Sequence, residues 1–254
     1  MNAIRSELHK LASLPSVWAA IAVGLLVAPV VAYLSSSTTL SAIQAGTDSG
    51  PASIDSGFQE LAFGVVGAII LGVVAVSSEY VAEGEEATGT RQIITSLTAA
   101  PSRARLLIAK AGAVALAVAS LAMATSVITL TVTRGLLGEA SVPLTADTAG
   151  RVAGVVVYWV LTALLASGIT LFTRSGIVPL AVLILNTSVI TVTYLLTRVT
   201  ALANYLPDMA GLRMFIRELD SPVKIAPLNG GAVMFAWILF VLVAGAIVFQ
   251  RRDA

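Results

Sequence analysis

The sequence predicts an all-α polytopic membrane protein with six transmembrane helices, an amphipathic interfacial helix before the first span, and an extracellular interfacial helix between the last two. Of the 254 residues, 57% are hydrophobic and only 11% are charged, whereas charged residues make up about a quarter of an average soluble domain. The apolar residues also form several runs near the length of about 20 residues that a helix needs to cross a bilayer.

Composition excludes several other classes of protein. A net charge of +1 and the absence of a basic run predict no nucleic-acid partner. Without cysteine there is no disulfide, thiolate metal site or cysteine nucleophile. The single histidine, His9, rules out an H-E-x-x-H motif, and no G-x-S-x-G motif occurs. We therefore predict no catalytic residue, no metal site and no cofactor in this chain.

The N-terminal residues 1–16 predict a short amphipathic helix. Ile4, Leu8 and Leu11 recur at helical spacing, and charged residues occupy the other sides. Pro15 and Trp18 follow, as at the entry to a bilayer. The segment is therefore predicted to lie at the membrane interface; the alternative is a plain cytoplasmic tail.

Six spans are predicted from the apolar runs. Gly64, Gly67 and Gly72 in the second span would permit close helix approach. The predicted spans are 17–34, 58–77, 106–132, 152–172, 177–197 and 231–249.

The loop 35–57 has no lysine or arginine, while the polar segments on either side of it carry several. Because basic residues concentrate on the cytoplasmic side, both termini are predicted to be cytoplasmic. The predicted location is the plasma membrane.

A long polar segment, 78–105, joins spans two and three, and it would face the cytoplasm. It begins with carboxylates and ends with arginines. A connection of this length with ordered amphipathic content is uncommon unless it binds something, which favours a docking surface over a solvated connection. Its Gly84 to Arg91 stretch is no nucleotide-binding P-loop, because Thr90 stands where the lysine belongs and no strand precedes it.

Polar residues of span five form the one cluster predicted within a span. Its members are candidates to line a pathway, although interhelical hydrogen bonds are the commoner use of such side chains. The candidates are Asn186, Thr187, Ser188 and Thr191, with Thr193 beside them.

The extracellular loop 198–230 contains a predicted helix from Asp208 to Leu219. Leu212 and Ile216 fall on its apolar face, and Arg213 and Arg217 on its polar face. This pattern predicts either a lid over the outer end of a pathway or an anchor that holds the loop at the interface.

In combination and order, several motifs resemble the type-2 ATP-binding-cassette (ABC) permease family, of the bacterial drug and peptide-antibiotic export type. They are Ser6-Glu7-x-x-Lys10, Glu79-Tyr80, Gly89-Thr90-Arg91, Leu97-Thr98 and Pro101-x-Arg103-x-Arg105 followed by Lys110. The resemblance covers the whole chain, although the Glu85-Glu86 insertion departs from the pattern.

The resemblance implies a permease that pairs with a second copy or a paralogue in the bacterial inner membrane, among lipids. Two separate ATPase subunits would bind ATP and magnesium. By resemblance, six residues are expected to dock onto the ATPase: Glu7, Lys10, Glu79, Glu83, Arg91 and Arg103.

The exported compound is expected to be apolar or amphiphilic, since no predicted span carries an acidic residue in its middle. A secondary carrier or channel that works alone is the alternative. The same lack of intramembrane carboxylates, and the absence of a visible repeat between the two halves, weigh against it.

Overall fold

The computed structural model describes residues 3–46, 52–78, 103–141, 143, 145–187, 192–219 and 223–252. Within these residues the chain is helical and contains no strand. The α-helices are α1 (Ala3–Ser13), α2 (Pro15–Gln44), α3 (Phe58–Ser77), α4 (Arg103–Leu137), α5 (Ala146–Thr173), α6 (Ile177–Thr187), α7 (Val192–Thr197), α8 (Pro207–Leu212) and α9 (Pro227–Arg252).

Five of these helices, α2, α3, α4, α5 and α9, are long and apolar enough to cross a membrane. The prediction of an all-α multi-pass membrane protein is therefore confirmed at this level. The second predicted span has the same bounds as α3, and the other four are longer in the structure than predicted.

The first predicted loop begins too early, because α2 continues to Gln44. Its polar residues remain helical by bonding to the preceding turn. The Ser37 hydroxyl donates to the Tyr33 carbonyl at 2.6 Å, and the Ser41 hydroxyl donates to the Ser37 carbonyl at 2.9 Å. Such back-bonding satisfies hydroxyls inside a helix, so a run of serine and threonine did not end it.

The predicted fifth span, 177–197, is described as two short helices. The helix α6 has 11 residues and α7 has 6, and residues 188–191 between them lie outside the described part. At 1.5 Å per residue, neither helix alone reaches the roughly 30 Å of a hydrocarbon core. The sixth span therefore stays a prediction.

Glycines allow the helices to pack closely, as predicted for α3. A Cβ atom on Gly67 would lie 2.5 Å from the Cα of Gly24 in α2, and one on Gly64 would lie 2.7 Å from the Trp159 ring in α5. Ser167 of α5 donates to the carbonyl of Gly72 at 2.9 Å. These contacts join α2, α3 and α5 around a core that contains the fully buried Trp159.

The helix predicted before the first span is α1, which Leu14 separates from α2. The Trp18 indole bridges this break by donating to the Ala12 carbonyl at 2.9 Å. One face of α1 packs on α4, with Glu7 and Leu11 buried. The expectation that Glu7 lies on an exposed side is therefore wrong.

The helix expected from Asp208 to Leu219 is shorter than predicted, because α8 ends at Leu212. Every residue from Met209 to Ile216 is buried, including Arg213 at 7% exposure. A helix on a membrane surface would keep one polar face in water, so the placement of Arg213 on such a face is wrong. Arg217 alone of the predicted lid residues is exposed.

Small residues admit this segment into the helix bundle. A Cβ atom on Gly154 of α5 would lie 2.6 Å from the Met214 carbonyl oxygen, and Gly230 of α9 lies against the Ala210 carbonyl in the same way. The segment is therefore wedged between α5 and α9. The apolar side chains at helical spacing predicted a helix at the membrane interface, but in the structure they face protein.

Candidate functional site: a cavity beside Asp208

A cavity of about 380 Å³ lies where α3, α5, α6 and α9 meet α8. We call it the Asp208 cavity. Its wall is mostly aliphatic, with a few polar side chains at one end. The residues that line it are Ile69, Tyr158, Thr162, Leu165, Val182, Leu183, Leu185, Asn186, Thr187, Thr193, Leu206, Pro207, Asp208 and Met234.

The polar end of the cavity is built on Asn186, the next-to-last residue of α6. Its amide nitrogen donates to the Asp208 carboxylate at 2.8 Å. Its amide oxygen accepts from the backbone nitrogen and the hydroxyl of Thr193, at 3.2 and 2.9 Å. Asn186 thereby connects α6, α7 and α8, and it fixes the position of the carboxylate.

Asp208 has no cationic partner among the residues that the structure describes. Its helix α8 lies outside the five long apolar helices. Burial raises the pKa of the Asp208 carboxyl above its ordinary range, although hydrogen bonds from Asn186, from Thr193 and from the backbone act in the opposite direction. Among the described residues this half-buried carboxylate receives only neutral donors, so this end of the cavity favours a positive charge.

The predicted pathway-lining residues are partly in place. Asn186 and Thr187 line the Asp208 cavity, whereas Ser188 and Thr191 lie outside the described residues. Sequence reasoning missed Asp208 because the search for acidic residues was confined to the spans. The signal was present nonetheless, since Asp208 directly follows Pro207 at the start of the only predicted helix in the outer loop.

A second polar site lies at the other end of α3, where α1 meets α4. Glu7 is 4% exposed. Its carboxylate lies 3.0 Å from the Lys110 nitrogen and 2.8 Å from the Lys10 nitrogen. Lys110 also donates to the Ala75 carbonyl of α3 at 2.9 Å. We call this set, Glu7, Lys10, Lys110 and Ala75, the α1 junction.

The charges of two lysines set the direction in which the pKa of Glu7 is shifted. Burial alone would raise the pKa of the Glu7 carboxyl, but Lys110 and Lys10 outweigh that effect and hold this pKa below its ordinary value. Glu7 therefore attaches α1 to α4 and is not accessible to a docking partner. Lys110 is likewise buried, beside Glu7.

The other predicted docking residues are distributed unevenly. Lys10 is exposed, so it can contact a docking partner while it also pairs with Glu7. Arg103 is the first residue of α4, the helix that also carries Lys110. Glu79, Glu83 and Arg91 lie outside the described residues, so their docking role stays a prediction.

A third polar site is formed by the buried carboxylate of Asp55, at the opposite end of the bundle from α1. It forms an ion pair with Arg151 of α5. It also accepts from the backbone nitrogens of Arg217 and Glu218, at 3.0 and 2.7 Å. The Arg151 guanidinium lies 3.8 Å from the centroid of the Phe58 ring. All its donors come from the protein, so this group holds the loop segments on α5.

The described part of the chain contains no group of three or more His, Cys, Asp or Glu side chains placed to hold a metal ion. The fold and the site together define a multi-pass helical membrane protein with an aliphatic cavity around one carboxylate. Comparison of the chain with protein-family models, with curated proteins and with solved structures yields no match.

Proposed function

We propose that this chain is the transmembrane permease subunit of an ABC-type exporter. A separate ATPase subunit, present in two copies, would bind ATP and magnesium and act on a pair of permease chains in the bacterial inner membrane. The exported compound would be apolar or amphiphilic. The motifs around Gly89 to Lys110 motivate this proposal, together with one feature of the fold.

That feature is the α1 junction. In the sequence, residues 79–102 connect the end of α3 to the start of α4. Lys110 of α4 pairs with Glu7 of α1 and donates to Ala75 of α3, so α1 and both ends of the polar segment are connected. A force applied to α1 or to residues 79–102 would reach α3 and α4 together, as coupling to an external ATPase requires.

We further propose that α6, residues 188–191 and α7 form the sixth crossing, with both termini cytoplasmic. The contacts of α9 with α5 support this sixth crossing. Met214 packs on Gly154 near the start of α5 and on Gly231 near the start of α9. Gly168 near the end of α5 packs on Val241 and Leu242 of α9. These two helices therefore run in the same direction. The chain between them must return from one end of the bundle to the other, which adds one crossing.

A stand-alone secondary carrier is the second candidate, and the Asp208 cavity is the observation that favours it. Ion-coupled carriers use buried carboxylates within their membrane domain. The predicted spans contain no carboxylate in their middle, and for that reason the sequence favours a permease over a carrier. Asp208 supplies a carboxylate from the loop instead. The two candidates differ in their source of energy, which can be measured.

The test uses proteoliposomes that contain the purified chain alone or together with an ABC ATPase subunit from the same organism. Export of the neutral dye Nile red and of the cationic dye rhodamine 6G would be followed by fluorescence. We expect export only with both subunits and ATP, and none when the ATPase carries a substitution of its P-loop lysine. Export by the chain alone under a pH gradient would contradict the proposal and support the carrier.

A further inference from the structure

The chemistry of the Asp208 cavity is asymmetric. One end holds the carboxylate and its Asn186 donor, and the remaining wall is built from side chains such as Leu165, Leu183 and Met234. A volume of about 380 Å³ falls within the range of small-molecule sites, in which a few fixed polar groups orient an apolar ligand. The cavity is thus suited to a ligand that has one polar end.

The residues that line the cavity indicate the sign of the charge at the ligand's polar end. Of the described residues that line the cavity, only Asp208 and Tyr158 can titrate, and no lysine, arginine or histidine is among them. An anion would meet the Asp208 carboxylate without compensation. A cation would neutralise it, and the face of the Tyr158 ring would also attract a positive group.

The polar end is unsuited to an inorganic cation. Calcium takes six to eight oxygen ligands and magnesium needs near-ideal octahedral coordination. The Asn186 oxygen already accepts two hydrogen bonds from Thr193, so the Asp208 carboxylate is the one charged oxygen group that the described lining offers, beside a few neutral hydroxyls. An organic cation needs one counter-charge and a large apolar surface, which matches the wall.

The cavity is also reachable from the apolar exterior. Two of its lining residues, Val182 and Leu185 of α6, are 57% and 67% exposed, so the cavity is open beside them. A lipophilic compound that has partitioned into the bilayer would therefore meet the cavity beside α6.

We propose that the Asp208 cavity binds a lipophilic organic cation, with its positive centre beside the Asp208 carboxylate and its apolar groups against Leu165, Leu183 and Met234. That such cations are the exported compounds rests on the proposed function, whereas the binding itself does not. The inference narrows the class of ligand from amphiphilic compounds in general to those that carry a positive charge.

The test measures binding to the purified full-length chain in lipid nanodiscs, without any ATPase. The probes are tetraphenylphosphonium and tetraphenylborate, which have the same shape and opposite charge, and empty nanodiscs correct for partition into lipid. We expect saturable binding of the cation and none of the anion.

Four variants sharpen the measurement. Asp208→Asn should weaken cation binding at least about tenfold, because a desolvated charge partner is lost, and Asp208→Glu should retain most of it. Thr187→Trp should reduce binding by filling the cavity. Glu139→Gln, an exposed carboxylate elsewhere, should leave it unchanged. Thermal melting of each sample checks that it is folded. If the melting temperature of Asp208→Asn is lowered, the cation affinities of Asp208→Glu and Thr187→Trp test the inference instead.

Equal affinity for the two probes, or unchanged cation affinity in folded Asp208→Asn or Thr187→Trp, would overturn the inference. The outcome is separable from that of the proposed function. ATPase-dependent export of Nile red without cation binding leaves the permease role intact and removes this site. Saturable cation binding in a chain that needs no ATPase keeps the site and removes the permease role.

Discussion

Asp55 and Asp208 are two carboxylates of the same molecule in different surroundings, since Asp55 is fully buried and Asp208 is half-buried. Asp55, at 0% exposure, accepts from two backbone nitrogens and pairs with the guanidinium of Arg151. Asp208 receives the amide of Asn186, pairs with no cation among the described residues, and borders a cavity.

The difference distinguishes a carboxylate that stabilises the fold from one that is available to a ligand. A buried carboxylate whose charge and hydrogen bonds are satisfied within the protein holds segments together and has nothing left to offer a ligand. A half-buried carboxylate beside an apolar cavity, without a counter-charge among the described residues, leaves that position to a ligand. The α1 junction belongs with Asp55, because two ammonium groups surround Glu7.

Arg151→Met should have the largest effect on stability. It leaves the Asp55 carboxylate buried without its guanidinium, and breaking a buried pair in this way costs about 3–5 kcal/mol. Thermal unfolding in detergent would measure the loss.

Arg217→Met is the matched control. The pair that Arg217 forms with Asp147 is solvent-accessible, so its loss should cost no more than about 1 kcal/mol. The backbone nitrogen that Arg217 donates to Asp55 is kept in this variant. Similar melting temperatures for the two variants would show that Asp55 does not depend on Arg151.

Glu7→Gln should have an intermediate effect, confined to α1. The amide keeps a hydrogen bond to Lys110 but loses the charge that holds α1 on α4, so we expect a loss of about 1–3 kcal/mol. Hydrogen exchange of the α1 amides would measure it. Lys10→Gln should change exchange less, because Lys10 is exposed.

The same junction should respond to acid. The pKa of Glu7 is lowered in the folded protein, so its contribution is complete at neutral pH. It should begin to fall near the ordinary glutamate pKa of about 4.3 and disappear below the lowered value. Protection of α1 that stays constant from pH 7 to pH 3 would contradict the ion pairing.

Asp208→Asn should have the smallest effect on stability. The substitution removes a carboxylate that has no counter-charge and keeps an acceptor for Asn186, so the two effects offset one another to within about 1 kcal/mol. Melting in detergent without added cation would measure it. A decrease as large as that of Arg151→Met would show that Asp208 is structural, like Asp55.

The fold was largely predictable from sequence, because apolar runs of membrane-spanning length have few other uses. The five long helices and the close packing at Gly64 and Gly67 follow from patterns that are local in the chain. The role of Glu7 was not predictable, because its partner Lys110 is 103 residues away and no local pattern pairs them.

The candidate site was predictable only in part, for a related reason. Asn186 and Thr187 were visible as polar residues in an apolar run. Asp208 was assigned to a surface helix, because a stripe such as Met209, Leu212 and Ile216 is the same whether it faces lipid or protein. Only the close approach of Gly154 and Gly230 to the segment distinguishes the two.

The contrast between the two aspartates can be measured directly with dicyclohexylcarbodiimide, which modifies carboxyl groups that are protonated in apolar surroundings. The purified chain would be treated with and without tetraphenylphosphonium, and modified residues located by peptide mass spectrometry. We expect modification of Asp208 and not of Asp55, and protection of Asp208 by the cation. Equal modification of both aspartates, or modification of Asp208 that the cation does not reduce, would contradict the account.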